Sequence, residues 1–150
     1  SQLDREQGRF YGRSLGTADK LWCREGVTMF SGIENFLSIY FEALHTQDLA
    51  LFDRVFHPSV VLYSMQDGAL TVRPFAEYRT MVAGRASPAS QGQPRDEHIL
   101  FIDMLSPDMA VAKVRLRLFD NIMEDHLCLM RGAAGWQIHS KFFHRAGAVS

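Results

Sequence analysis

The sequence predicts an α+β fold in which helices pack on one face of an antiparallel sheet. In the first half of the chain, apolar residues recur at three- and four-residue spacing, which is typical of amphipathic helices. From Glu97 onward apolar and polar residues alternate, which is typical of strands. Turn signals at 106–108, 120–121 and 132–135 divide this second half into four strands. Helices followed by a strand meander favour helices packed on one sheet face.

Composition narrows the class of protein. The chain has 150 residues, of which 47% are apolar and 22% charged, and this predicts a folded domain with its own core. A net charge of -1 argues against a nucleic-acid partner and gives no reason to expect a membrane partner. No apolar run has the ~20 residues that span a bilayer, and we expect no signal peptide. Cys23 and Cys128 belong to no metal or redox motif, so we expect reduced thiols in a cytoplasmic protein.

The sequence predicts neither a metal site nor a cofactor site. The six histidines lack the close spacing of zinc ligands, and no glycine-rich phosphate loop follows a strand. We therefore expect any chemistry to be independent of a cofactor.

Residues 1–30 are predicted to form an arm outside the main fold, because they mix charge with glycine and show little periodicity. The arm contains a predicted short helix over 18–25, which ends at Gly26. Its Phe10 and Trp22 suggest that the arm docks on another surface.

The main domain is predicted over 31–144, followed by a short tail over 145–150. Ser31, with Glu34 three residues later, has the pattern of a capping box at the start of a helix. The apolar face of this helix consists of Ile33, Phe36, Leu37, Tyr40, Phe41 and Leu44.

Two more helices and a hairpin are predicted before the meander. Asp48 is the expected N-cap of a second helix, which ends at His57 because the following proline disfavours helical conformation there. "VVLYSM", "QDG" and "ALTVR" then predict a strand, a turn and a returning strand. Pro74 suits the first turn of a third helix that ends at Gly84, and residues 85–96 form a loop.

Short turns in the meander allow the strand register to be predicted. The expected turn pairs are Leu105 with Met109, Phe119 with Ile122, and Arg131 with Trp136. Because side chains alternate between faces, one face of this sheet then collects nearly all the apolar residues. The polar residues on that apolar face are His98, Asp125, Arg131, Ser140 and His144, whereas Lys141 falls on the outer face.

Asp125 is the candidate functional residue, because a buried carboxylate is costly unless it has partners or lines a wet cavity. The predicted registers place His98 in the same row as Asp125 and His144 diagonal to it. A histidine beside a carboxylate forms a general acid–base pair, so these three residues are the catalytic candidates. The expected pocket residues are Tyr40, Tyr63, Tyr78, Leu116, Met123, Ser140 and Phe142. In the alternative interpretation, Asp125 and the histidines are structural, and the apolar side chains simply fill the space.

Three segments carry a family resemblance: "YFEALHTQD" in the first helix, "FHP" before the first strand, and "EDHLCLMR" followed by "GWQIHSKFFH" at the end. In this order they resemble the nuclear transport factor 2-like superfamily, and more narrowly its lumazine-binding, polyketide-cyclase-like (SnoaL-like) branch. The resemblance covers about residues 31–144. It implies a cone-shaped, strongly curved antiparallel sheet wrapped around the first helix, and a homodimer through the outer sheet face.

The resemblance also implies a pocket at the open end of the cone, with Asp125 at the position of a typical pocket acid. The family often has an acid after the His-Pro pair, where this chain has Ser59. The base and oxyanion pair of the ketosteroid isomerases has no counterpart that can be placed residue by residue.

Three functions stay open at this point. The first is a cofactor-independent lyase, isomerase or cyclase that acts on a small hydrophobic ring compound. The second is a non-catalytic binding protein for an aromatic heterocycle. In that case Asp125 would accept hydrogen bonds from the ring N–H groups. The third is a dimeric structural or assembly domain. Fold alone does not decide between them.

Overall fold

The structure is a computed structural model that describes the backbone of residues 17–150 and the side chains of residues 30–150. The chain divides into two compact units, residues 1–31 and Gly32–Ser150. The helices are α1 (Thr17–Thr46), α2 (Leu49–Val55) and α3 (Phe75–Ala83). The strands are β1 (Phe56–Gln66), β2 (Ala69–Pro74), β3 (Glu97–Ser106), β4 (Met109–Leu118), β5 (Asn121–Gly132) and β6 (Gly135–Ala148).

Helix α1 is longer than the sequence predicts. It runs without interruption over Thr17–Thr46, so the predicted helix end at Gly26 and the predicted cap at Ser31 are wrong. A glycine inside a helix costs only about 1 kcal/mol relative to alanine, which the packing of a long helix can offset. The side chains of Phe10 and Trp22 lie outside the described residues, so docking of the arm stays a prediction.

Local signals placed the next elements correctly. The Asp48 side chain accepts a hydrogen bond from the backbone N–H of Ala50 at 2.9 Å, as expected of the N-cap of α2. In the β1–β2 turn, Asp67 and Gly68 have φ angles of 51° and 77°, which are typical of a tight hairpin turn. Gly84 caps the C-terminus of α3 through bonds from its N–H. Helix α2 ends at Val55, two residues earlier than predicted, because β1 already begins there.

The six strands form one sheet in the order β2-β1-β6-β5-β4-β3. The predicted hairpin and the predicted meander are thus parts of the same sheet, joined where β1 runs parallel to β6. The other neighbouring strands are antiparallel. The α+β fold class predicted from the sequence is confirmed, with one parallel strand pair that no sequence pattern indicated.

The core of the second unit lies between the helices and the inner face of the sheet. Seven side chains of α1, among them Ile33, Leu37 and Tyr40, are buried in one cluster with residues of every strand from β4 to β6 and of β1. Arg95 hydrogen bonds to Glu42 on α1 and Glu97 on β3, so it links this helix to the sheet edge. The inner face is therefore the place where a polar residue needs an explanation.

The β4–β5 register differs from the prediction by two residues. Leu116 lies opposite Met123, and Val114 lies opposite Asp125. A shift of two residues preserves the face on which each side chain lies, so Asp125 still points inward. On the outer face, the predicted pair of Phe119 with Ile122 would place Arg117 opposite Glu124, but Arg115 lies there and donates to Glu124 at 2.7 Å.

Irregularities in β3 and β6 reverse the predicted faces at the ends of both strands. In β6, Leu129 pairs with Ile138 but Cys128 pairs with Ser140, so one extra residue, His139, lies between the two pairs. This is a β-bulge, and from it onward the alternation shifts by one residue. Lys141 therefore faces inward, against the prediction. The tail predicted from residue 145 is also shorter, because β6 continues to Ala148.

Candidate functional site

A cavity of about 200 Å³ lies on the inner side of the sheet. Four of its lining residues are charged: Arg73, Arg85, Asp125 and Lys141. The remaining lining residues are Leu44, Leu62, Tyr78, Met81, Leu116, Leu118, Phe119, Asn121, Met123 and Phe143. Of the expected pocket residues, Tyr78, Leu116 and Met123 thus line this cavity together with Asp125. A mostly apolar cavity with a few convergent polar groups is the usual form of a small-molecule site.

Asp125 is the centre of a buried polar network. It lies on β5 and is 2% exposed. Its Oδ2 accepts a hydrogen bond of 2.6 Å from the hydroxyl of Tyr40 on α1. The same oxygen lies 3.5 Å from Nζ of Lys141 on β6. The carboxylate therefore has both a hydrogen-bond donor and a positive charge as partners, which is what its burial requires.

Lys141 is held among aromatic rings as well as beside Asp125. Its Nζ lies 5.4 Å from the ring centroid of Tyr40, 5.6 Å from that of Tyr78 and 6.0 Å from that of Phe56. An ammonium over aromatic faces gains cation–π attraction. The ammonium group is thereby fixed in position at the wall of the cavity.

Tyr40 is the hydrogen-bond donor of this network over the whole physiological pH range. Burial raises the pKa of its hydroxyl well above the ordinary value of 10.0, and the charge of Asp125 raises it further. Both effects disfavour the tyrosinate, because a buried anion is poorly solvated and is repelled by a neighbouring carboxylate. Tyr40 therefore stays protonated and keeps Oδ2 of Asp125 in place.

The two catalytic histidine candidates do not approach Asp125. On β3, a bulge at Leu100 places His98 opposite Arg115, where its ring contacts Asp96 at 2.7 Å and is largely exposed. His144 follows the bulge of β6 and lies opposite Glu124, on the outer face. The predicted pairing of Asp125 with either histidine is therefore wrong, and its partners are Tyr40 and Lys141.

Three expected pocket residues, Tyr63, Ser140 and Phe142, lie on the outer face of the sheet. Tyr63 and Phe142 contact each other edge to face, with ring centroids 5.7 Å apart. Both line a second, larger cavity of about 480 Å³ on that face. Ser140 pairs with Cys128, which is exposed. The predictions that these residues line the inner pocket are wrong. The bulge at His139 reverses the alternation before Ser140 and Phe142, and Tyr63 lies on β1 opposite Phe142, on the same outer face.

Sequence reasoning missed Lys141, Arg73 and Arg85. One signal for Lys141 was present: apolar residues follow Ile138 at both parities, in Phe142 and Phe143, so regular alternation could not hold throughout the strand. The two arginines come from β2 and from the loop after α3. They reach the cavity only because β1 joins β6, and no local pattern indicated that pairing.

Metal-ion ligands and membrane-spanning helices were also sought among the described residues. Within the part of the chain that the structure describes, no group of His, Cys, Asp and Glu side chains is arranged to hold a metal ion. Among the same residues, no helix has both the length and the apolar character needed to cross a membrane.

Comparison with protein-family models shows which family the chain belongs to. The family model described as "Putative lumazine-binding" matches residues 28–144, which is most of the chain. The chain belongs to this lumazine-binding family. The match coincides closely with the 31–144 region in which the sequence resembles nuclear transport factor 2-like proteins.

Solved structures of nuclear transport factor 2-like proteins share the fold of this chain. An NTF2-like protein of unknown function from Silicibacter pomeroyi DSS-3 is 16% identical, with a TM-score of 0.71 over 80% of this chain and 98% of its own. A similar protein of unknown function from Shewanella baltica OS155 is 19% identical, with a TM-score of 0.70 over 81% and 97%. A ketosteroid isomerase-like protein from Erwinia carotovora atroseptica is 15% identical, with a TM-score of 0.60 over 78% and 95%.

At these identities the comparisons establish the fold and not an activity. Among curated proteins, none matches the chain. The functional argument therefore depends on the inner cavity itself.

Proposed function

We propose that the inner cavity binds a small ring compound, with Asp125 as the hydrogen-bond acceptor that orients it. The observation that carries this proposal is a buried carboxylate on the wall of a cavity, whose hydrogen bond and ion pair within the described part of the chain are both made by Oδ2. This arrangement leaves Oδ1 for a ring N–H or O–H group of a bound molecule. A heterocycle such as lumazine offers donors of this kind, and the family description supports it as a first probe.

The size of the cavity supports a compound of one or two fused rings. An apolar protein cavity of about 150 Å³ is sufficient for benzene. The inner cavity has about 200 Å³ and a wall that is mainly aliphatic and aromatic. A planar ring would gain burial against Leu62, Leu116 and Phe143, while its polar edge meets Asp125.

Thermal unfolding with and without lumazine tests the proposal, because a ligand that binds the native state raises the melting temperature. Met123→Trp fills the cavity and should abolish the shift, since Met123 lines it. Leu105→Trp is the matched control, because Leu105 is 78% exposed and should leave the shift unchanged. A shift that persists in Met123→Trp places the bound molecule elsewhere and contradicts the proposal.

A second candidate is a cofactor-independent lyase, isomerase or cyclase that acts in the same cavity. The observation that favours it is that a carboxylate and an ammonium group, Asp125 and Lys141, share one wall of the cavity. A base and an acid side by side can move a proton between two atoms of a bound ring. Orientation by Tyr40 would keep Asp125 aligned during such a step.

Deuterium exchange separates the two candidates. A ring compound that binds is incubated with the protein in deuterated water and then recovered for mass analysis. Catalysis predicts a changed compound or carbon-bound deuterium, and loss of both in Asp125→Asn. Recovery of the unchanged, unlabelled compound after long incubation supports binding alone.

We also propose that two copies of the chain associate through the outer sheet face. This face carries exposed apolar side chains, including Met65, Phe101 and Phe142, around the larger cavity. Lys113 and Glu124 pair with each other at 3.9 Å on this face, so neither brings an unpaired charge to a self-complementary contact about a two-fold axis. Sedimentation should reveal a species of twice the 17.0 kDa chain mass, and a monomer at all concentrations would contradict the dimer.

A further inference from the structure

The inner cavity has an excess of positive charge. Three of its lining residues, Arg73, Arg85 and Lys141, are cationic, and one, Asp125, is anionic. Asp125 is matched by Lys141 at 3.5 Å, which leaves the two guanidinium groups uncompensated within the lining. Glu77 comes within 3.5 Å of Nε of Arg73, but its side chain is 60% exposed and it does not line the cavity. An exposed acid of this kind screens a cation only weakly.

Each of the two arginines has a buried N–H group that forms no hydrogen bond with the described residues, although Nε of Arg73 has the Glu77 carboxylate at 3.5 Å as an ionic partner. Among the side chains that the structure describes, Nε of Arg73 and Nη2 of Arg85 are buried and form no hydrogen bond. A buried donor left unsatisfied is costly, and more so on a charged group. Nη2 of Arg85 has no such ionic partner among the described side chains, and this indicates that an acceptor belongs beside it.

Arg85 is held in a fixed position by the protein. Its Nε donates to Oε1 of Gln47 at 2.8 Å, and its guanidinium lies 5.1 Å from the ring centroid of Phe119. Gln47 is itself buried and donates to the carbonyl of Leu44 at 2.6 Å. Nε is therefore engaged by the protein, while Nη2 forms no hydrogen bond with the described side chains.

Arg73 is brought to the same cavity by the sheet. On neighbouring strands, Arg73 lies opposite Leu62, and Leu62 lies opposite Lys141. The three residues form one row across β2, β1 and β6, so their side chains point to the same inner face. The backbone of Arg73 thus lies about 10 Å from that of Lys141, two strand spacings away.

We propose that the ligand of this cavity is a ring compound with an anionic substituent of the carboxylate type, which Arg73 and Arg85 bind. The inference rests on the proposed binding function and adds the chemical class of the ligand. Guanidinium groups match the planar geometry of a carboxylate and form strong, charge-assisted bonds with it. The ring lies against the apolar lining, and a donor on its far edge meets Oδ1 of Asp125.

The decisive comparison uses 4-hydroxybenzoate and its uncharged counterpart, 4-hydroxybenzamide, with binding to the wild-type protein measured by titration calorimetry. The two probes share the ring and the hydroxyl and differ in the charged group. We expect the carboxylate to bind at least about tenfold more tightly, given the strength of charge-assisted hydrogen bonds. Equal affinities, or a preference for the amide, would overturn the anionic class and leave ring binding intact.

Variants assign the effect to the two arginines. Arg85→Met and Arg73→Met should each weaken 4-hydroxybenzoate at least about tenfold and leave 4-hydroxybenzamide nearly unchanged. Arg131→Met is the matched control, because Arg131 also lies over an aromatic ring, Trp136, and bonds to an acid, Asp108, away from the cavity. Full affinity for the carboxylate in both cavity variants overturns the proposal. If neither probe nor lumazine binds the wild type, the proposed function fails together with the inference.

Discussion

At the scale of single residues, Asp125 and Lys141 show why the inner face of this sheet can hold charge. Each is buried, and each has the other as its ionic partner at 3.5 Å. A buried ion pair adds little net stability, since desolvation offsets much of the attraction, but the loss of one partner leaves an uncompensated charge. The pair is therefore better explained as a means of keeping a carboxylate at the cavity than as a device for stability.

This asymmetry predicts a coupled pair of substitutions. Asp125→Asn and Lys141→Met should each destabilise the protein by about 3–5 kcal/mol, because each leaves a buried charge unpaired. The double variant should lose much less free energy of unfolding than the two single variants lose together. Urea unfolding of the four proteins gives the coupling free energy.

The exposed pair of Asp53 and Arg79 is the control for this double-mutant cycle, in which the wild type, two single variants and the double variant are compared. Its two bonds, 2.8 Å and 2.9 Å, have good geometry, but both side chains are largely exposed. Its coupling should stay below about 1 kcal/mol. Additive losses for Asp125 and Lys141 would show that the two charges are solvated independently, and would contradict their burial as a pair.

Tyr40 gives a pH dependence with a definite sign. Its pKa in the folded protein is raised above the unfolded value of 10.0, chiefly by burial. Above pH 10 the unfolded state loses this proton first, so stability is fully present below that pH and declines as pH rises toward the folded pKa.

Tyr40 is one of four tyrosines in the chain. A spectrophotometric titration of tyrosinate should find that it ionises at a pH well above 10.0, the ordinary pKa of a tyrosine. In Tyr40→Phe that late step should be missing. The free energy of unfolding of the variant should also be about 1.5–3 kcal/mol lower, because the hydrogen bond to Asp125 is lost. A Tyr40→Phe titration that retains the late step would assign the raised pKa to another tyrosine.

At the scale of elements, the one-residue bulge of β6 decides which side chains reach the cavity. Asp48, the Asp67-Gly68 turn and Gly84 were predictable because each signal acts within a few residues of the chain. The bulge was not, because the extra residue depends on how β6 meets β5, which is a contact between segments. The sequence thus predicted the acid at the site and missed its cationic partner, Lys141.

Deletion of single residues tests this account of β6. Deleting His139 removes only the extra residue, and the pairs of Leu129 with Ile138 and Cys128 with Ser140 can still form. Deleting Phe142 instead moves every later side chain to the opposite face. The free energy of unfolding in urea should therefore be at least ~2 kcal/mol higher for the His139 deletion than for the Phe142 deletion, because the His139 deletion does not bury polar residues.

The His139 deletion should also keep Lys141 inward and retain ligand binding in the cavity. His139 itself stacks on His57 at 4.3 Å, outside the cavity lining, so its loss removes no cavity contact. Equal destabilisation by the two deletions would show that the bulge is required for folding rather than tolerated by it.

At the scale of the whole molecule, the two faces of the sheet have different tasks in this proposal. In the proposal, the inner face would bind a small molecule through a few charged residues, and the outer face would bind a second copy through exposed apolar ones. The bulge connects the tasks, because the same one-residue shift that turns Lys141 inward turns Phe142 outward. A change on the outer face should therefore affect association without affecting the cavity.

Phe142→Asp is the sharpest test of that separation. Phe142 is 57% exposed in the single chain, so the substitution should change the unfolding free energy of the monomer by no more than about 0.5 kcal/mol. At the centre of a dimer interface, a buried charge should raise the dimer dissociation constant at least about tenfold, as loss of an aromatic anchor does. Sedimentation at several concentrations measures this, with Leu105→Asp as an exposed control. Unchanged sedimentation of Phe142→Asp, with ligand affinity also unchanged, would place the dimer contact on another surface.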